Sequence, residues 1–273
     1  MIAQLRSEWM RGRGRPVEKF TGAVVIVLGF VIPAVMLLAS SRNPAMRGSA
    51  LETMAFPSSL RAAQTMATII GPFWAAAIGS NIIGAEFQYG TWPLLLVRSS
   101  SRVRLALIKI VTAAARIIVL TVVGVSIFLA VCAAIRIAFG LPVQGVPLPG
   151  AFEPTTRQML IPFIGIGGAM AFAAMIAFTI TVVSRSAVFG MLAGALAQPF
   201  LFAIRFKETA SWIPYVHLDN IQTKLMSSRP NPLLLRLYEF NWSGRASAAV
   251  LAVELAVLVA IALIVFRRQE IVY

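Results

Sequence analysis

The chain has 273 residues, 59% of them hydrophobic, and the 12% that are charged are about half the share usual in a soluble domain. One soluble core of this size does not bury that much apolar surface, so a mean hydropathy of +0.83 requires lipid to solvate part of the protein. The net charge of +14 is spread over short segments between apolar runs, which points to anionic headgroups and topology setting rather than to nucleic acid.

The first element is an amphipathic N-terminal stretch. Ile2, Leu5, Trp9 and Met10 share roughly one helical face across Ile2–Met10, with Arg6 and Glu8 elsewhere, as suits a helix lying at a membrane interface. The first 20 residues hold Arg6, Arg11, Arg13, Arg15 and Lys19 against Glu8 and Glu18. Cation totals on the two sides are nearly equal, but this dense leading cluster favours a cytoplasmic N-terminus, because the first span usually sets orientation. A cleaved signal peptide fits less well: the leading segment and apolar run are long, and Ser40–Pro44 is an indifferent cleavage site.

A bilayer core takes about 20 apolar residues of helix. Six runs approach or exceed this length: residues 22–39, 62–83, 105–135, 160–183, 187–204 and 246–266. The reading is an all-α integral membrane protein with six transmembrane helices, both termini cytoplasmic, forming one transmembrane domain over residues 1–273. Pro33 and Pro72 fall inside their runs and should kink them, as should Pro199 in the fifth, while Pro162 is placed in the first turn of the fourth. The third run is longer than a bilayer needs, so it should tilt or project. Cys132 lies within it, and a single cysteine excludes both an intrachain disulfide and a Cys-based zinc cluster. Only Ser184-Arg185-Ser186 separates the fourth and fifth runs, which makes them a tight antiparallel hairpin. Gly190 and Gly194 have the spacing that lets two helix backbones approach, either within the chain or between subunits. Between the fifth and sixth runs a long polar, aromatic-rich segment carries His217, which reads as a surface or loop-packing residue. With one histidine and few acids, no catalytic acid–base set and no metal site is legible.

Two charged residues fall within the spans, Arg116 in the third and Glu254 in the sixth. Intramembrane charge is costly and marks structure or function. Counting in from the span ends puts both at comparable depth, about 12–16 Å. Three readings stay open: a direct pair, a role on the substrate path, or Arg116 reaching the inner headgroups while Glu254 bonds locally or is protonated.

The most informative segment joins the second and third runs. Gly84-Ala85-Glu86-Phe87-Gln88-Tyr89-Gly90-Thr91-Trp92-Pro93 leads into Leu94–Val97, and Arg98-Ser99-Ser100-Ser101-Arg102 leads to Lys109. Gly90 ends one helix, Thr91 can cap a short amphipathic one, and Ser101 can cap the helix that re-enters. Read blandly, this is a basic interfacial loop. Through Glu86, Gly90, Thr91, Ser101, Arg102 and Lys109 it resembles the permease subunits of type-2 ATP-binding-cassette (ABC) exporters, which show Glu-x-x-x-Gly-Thr, a Leu-rich turn, Ser/Pro-Arg and a later Lys. It departs at Ser100, where many members carry a proline. The six runs, the tight hairpin and the short basic C-terminal tail are similar to that family too.

The resemblance implies a coupling helix between spans two and three, with Glu86, Gly90, Thr91, Arg98, Ser101, Arg102 and Lys109 engaging a separate ATPase. No G-x-x-x-x-G-K-[ST] loop is present. ATP and Mg would therefore belong to two partner ATPase subunits, with no cofactor on this chain and no enzymatic activity of its own. The resemblance further implies a second, identical or similar permease in a dimer, a bacterial cytoplasmic (inner) membrane, and export of an amphiphile such as a lipid, antibiotic peptide or hydrophobic drug. The competing reading is a stand-alone secondary transporter or lipid scramblase.

Overall fold

The structure is a computed structural model that describes residues 2–40, 44–56, 58–91, 101–144, 156–203, 217, 220 and 243–268. Among these it is helical throughout, without β-strands, apart from one isolated bridge between Phe56 and Gln144. The helices are α1 (Ile2–Arg13), α2 (Pro16–Ser40), α3 (Pro44–Thr53), α4 (Ser58–Gln88), α5 (Arg102–Ala138), α6 (Thr156–Ser184), α7 (Ala187–Ala203) and α8 (Gly244–Arg268).

Five of the apolar runs each lie within one long helix that extends past the run, and the fifth run in chain order, 187–204, corresponds to a helix described over Ala187–Ala203. Helices α2, α5, α6 and α8 are long and apolar enough to cross a membrane. Helix α4 is longer than most of these but is diluted by Gln64, Ser80, Asn81 and Glu86, all buried against neighbours. Helix α7 has 17 residues. Pro16 opens α2, where its missing N–H goes unmissed, and Glu18 in the same first turn complements the helix dipole. Helices α2 and α4 continue through Pro33 and Pro72. Helix α6 begins at Thr156 rather than Leu160, so Pro162 falls beyond its first turn. The amphipathic start is indeed a helix, α1. Helix α3 was not legible as an element, since its sequence is neither apolar nor periodic.

Helix α4 is the centre of the molecule, packed against α5, α6 and α7. Small residues set its approach. A Cβ added at Gly194 would come within 2.5 Å of the Ala173 carbonyl and 2.8 Å of Ala76, and one at Gly84 within 2.5 Å of Ala187. In lipid, where apolar side chains gain little by leaving apolar solvent, such backbone-to-backbone packing holds helices together. Gly190 likewise lies against Ala177 and Thr181, so the Gly190/Gly194 spacing serves packing within the chain. The α6–α7 turn is as tight as Ser184-Arg185-Ser186 requires: Arg185 takes φ of 56°, and the Ser184 hydroxyl donates to the Ile180 carbonyl at 2.7 Å. By contrast, α2, α5 and α8 leave large apolar side chains such as Phe30, Val122 and Val257 exposed, as lipid-facing helices do.

At the end remote from α1, Arg136 of α5 is buried and donates to the Pro142 carbonyl at 2.6 Å and to the Leu51 carbonyl. It thereby fastens α3 and the segment after α5 to the bundle. His217 is fully buried rather than on a surface, and Asn220 donates to the Ser247 hydroxyl at 2.7 Å.

Candidate functional site: a buried ion cluster where four helices meet

Helix α4 ends at Gly90. Its φ of +62° is the left-handed conformation that glycine adopts at little cost. The Gly90 amide donates to the Phe87 carbonyl at 3.3 Å and the Thr91 amide to the Glu86 carbonyl at 3.1 Å, the paired bonds of a Schellman motif. That turn brings the Thr91 hydroxyl back onto Oε2 of the Glu86 carboxylate, to which it donates. Residues 92–100 lie outside the described residues, and with them Arg98 and the short helix expected after Thr91. The chain re-enters at Ser101. This residue is extended and caps α5: its hydroxyl accepts from the Arg104 amide at 3.5 Å and its carbonyl from the Leu105 amide at 3.1 Å. Arg102, in the first turn of α5, is exposed.

Two turns further along α5, Lys109 has no exposed surface at all. Its Nζ donates to Glu86 at 3.1 Å, to Glu8 of α1 at 3.2 Å and to the Ile82 carbonyl at 3.0 Å. An ammonium carries three protons, so each finds an acceptor. Glu86 also accepts from Arg15 at 2.8 Å, while Arg15 reaches the Asn81 carbonyl at 3.1 Å. Glu8 accepts a further bond from Arg11 at 3.1 Å. Two turns beyond Lys109, Arg116 pairs with Glu18 of α2 and donates to the Glu8 carbonyl at 2.6 Å and the Trp9 carbonyl at 3.2 Å. Its guanidinium carbon stands 5.6 Å from the Trp9 ring centre, within cation–π range.

Three carboxylates (Glu8, Glu18, Glu86) thus meet four cations (Arg11, Arg15, Lys109, Arg116), and the cluster joins α1, the α1–α2 turn, α2, α4 and α5. Burial works against the charged form of Glu86. Lys109, the Thr91 hydroxyl and Arg15 outweigh it, and the carboxyl lies below its ordinary value of 4.5.

Of the residues singled out in sequence, Glu86, Thr91 and Lys109 come together, and Gly90 and Ser101 shape the two helix ends beside them. Arg116 joins the same cluster. Its partner is Glu18, which leaves Glu254 out of the pairing. Glu254 is half-buried on α8, and its Oε2 has no hydrogen-bond partner among the described residues. Sequence reasoning missed Glu8, Arg11, Arg15 and Glu18 as members, counting them only as charge of the N-terminal segment. The available signal was that two acids, Glu18 and Glu86, flank the ends of apolar runs, with Glu8 in the amphipathic stretch ahead of the first, while Lys109 and Arg116 lie within one.

A family model described as "ABC-2 family transporter protein" matches residues 5–198, more than two thirds of the chain. The chain belongs to the ABC-2 family of transporter proteins. Comparison with curated proteins gives no match. This ABC-2 protein is a multi-pass membrane protein and a permease of the ABC-transporter class. The family match takes in the entire ion cluster, from Glu8 to Arg116, and stops short of α8.

Proposed function

We propose that this ABC-2 permease is the membrane subunit of an ATP-driven exporter and that the segment between α4 and α5 is where an ATPase grips it. In this reading α4 and α7 are the two further spans, giving six, with both termini cytoplasmic. The polypeptide pairs with a second permease and works with two separate ATPase subunits in a bacterial cytoplasmic membrane. ATP and Mg belong to those ATPases, and this chain performs no chemistry. The cargo is an amphiphile, in keeping with the mostly apolar side chains along the spans.

One observation carries the reading: Glu86 and Lys109, which flank the 92–100 segment on both sides, are locked together and to α1 and the α1–α2 turn by buried ion pairs. A push on that segment reaches α4 and α5 through short, charge-assisted bonds rather than through a slack loop. Gly90 and Ser101 define sharply where α4 ends and where α5 begins on the two sides of that segment.

The test uses the complex formed with the ATPase encoded by the neighbouring reading frame, reconstituted in vesicles. Glu86→Gln and Gly90→Val are each expected to cut ATP-dependent substrate movement at least about tenfold, while the ATPase still binds ATP. Full transport with both replaced defeats the coupling role. Substrate movement by the purified permease alone, without ATPase or ATP, would instead favour a stand-alone secondary transporter or scramblase.

A further inference from the structure

Beside the ion cluster lies a cavity of about 230 Å³ that none of its ion pairs fills. Trp9, Glu18, Lys19 and Arg116 form its polar end, and Ile78, Val119 and Leu120 its apolar end. Arg116 and Glu18 are already paired there, whereas Lys19 is exposed at the mouth. A second, apolar space of about 40 Å³ lies deeper between the same three helices, bounded by Gly29, Ala67, Trp74, Val125 and Phe128.

The two spaces follow one another in the same order along every helix that bounds them. On α2 the sequence is Glu18 and Lys19, then Val25 to Ile32. On α5 it is Arg116 and Leu120, then Thr121 to Phe128. On α4, which runs the other way, it is Ile78, then Trp74 to Ala63. A charged mouth thus opens into an apolar slot. Trp74, whose Nε1 has no hydrogen-bond partner among the described residues, stands where one becomes the other. Val119 at the mouth and Val122 and Val123 beyond it are exposed on the flank of α5, so the groove opens toward lipid.

We infer that this groove is a binding site for one bilayer phospholipid of net charge −1. Its phosphodiester meets Lys19 at the mouth, its glycerol esters lie at the level of Trp74, and the first carbons of one acyl chain enter the slot. The lining decides the charge class: Lys19, Arg116 and Glu18 sum to +1, which a headgroup of net charge −1 neutralises and a zwitterionic one does not. The occupant is neither exported cargo nor a partner protein. It is a lipid held between α2, α4 and α5, and the inference rests only on the protein's residence in a membrane.

Native mass spectrometry of the full-length permease, loaded in turn with phosphatidylglycerol, phosphatidylcholine or inorganic phosphate, tests it. The wild type should retain one phosphatidylglycerol per chain, bound about fivefold more tightly than phosphatidylcholine, the worth of one lysine at a charged lipid surface. Lys19→Glu and Lys19→Gln should each abolish that preference without lowering the thermal stability of the lipid-free protein, since Lys19 is exposed and forms no part of the ion cluster. Ala67→Leu, which fills the slot, should weaken retention of both lipids while the preference persists. Equal binding of the two lipids by the wild type, or an undiminished preference in both Lys19 variants, overturns the proposal. So does a thermal shift from inorganic phosphate alone that equals the lipid's, which would mark a free-anion site.

Discussion

Replacing Lys109 by methionine keeps the unbranched stem and removes the ammonium. The side chain has no exposed surface, and its three bonds, of 3.0 to 3.2 Å, go to two carboxylates and a carbonyl. Breaking a buried pair from one side costs about 3–5 kcal/mol, because the abandoned partner stays charged and desolvated. Glu86 retains Arg15 and the Thr91 hydroxyl, and Glu8 retains Arg11, so the lower figure of about 3 kcal/mol applies. For a chain of this size that corresponds to a Tm lowered by about 6–12 °C. The assay is thermal unfolding of the purified permease in one fixed detergent, with exposed Arg104→Met as the surface control. Adding Glu8→Gln to Lys109→Met should restore part of the loss, with a coupling of at least about 1 kcal/mol in the double-mutant cycle. A Lys109→Met protein that melts within about 2 °C of the wild type, or a cycle that closes additively, would refute the claim that these charges act as one unit.

Glu86 should impose an acid limb on stability. Its folded pKa lies below the ordinary 4.5, so the ion pairs with Lys109 and Arg15 contribute in full above 4.5 and are lost as pH falls through the lowered folded value. Tm measured from about pH 7 to pH 3 should fall more steeply in the wild type than in Glu86→Gln, which starts lower but has no such limb. For the α4–α6–α7 packing, Gly194→Leu must displace the Ala173 carbonyl together with Ala177 and Ala76, at a cost of about 1–3 kcal/mol by overpacking. Gly167→Leu, with nothing within 4 Å of the added Cβ, should leave Tm near the wild-type value.

The helices were legible in the sequence because the apolar runs of a membrane protein announce themselves by length. What ran past those runs was less so. Helix α6 starts four residues early at Thr156, and α4 runs on past Ile83 to Gln88, where Glu86 is held by Arg15 and Lys109 in backbone that hydropathy counts as loop. The hairpin at Ser184–Ser186 could be read because three residues leave little choice of path. The short α3, neither apolar nor periodic, could not. At the site, Glu86, Gly90, Thr91 and Lys109 were marked by a motif. That Lys109 would meet Glu8, 101 residues away, was invisible, since such pairing depends on how α1 lies across α5. The comparison of Arg116 with Glu254 came from counting depth from Leu105, as though α5 met the bilayer there. The contact with Glu18, in the first turn of α2, ties Arg116 to the polar edge of that helix instead.

The same contact divides α5 unevenly. From Arg116 the helix runs 14 residues, about 21 Å, back to Arg102, and 22 residues, about 33 Å, forward to Ala138. A stiff rod held at that point behaves as a lever whose fulcrum is off centre. Tilted about Arg116, it would carry its far tip roughly one and a half times as far as its near tip, and in the opposite direction. A sideways displacement of about 3 Å near Ser101 would thus emerge as about 4 Å beside Arg136, at the level where Leu51 and Pro142 are fastened.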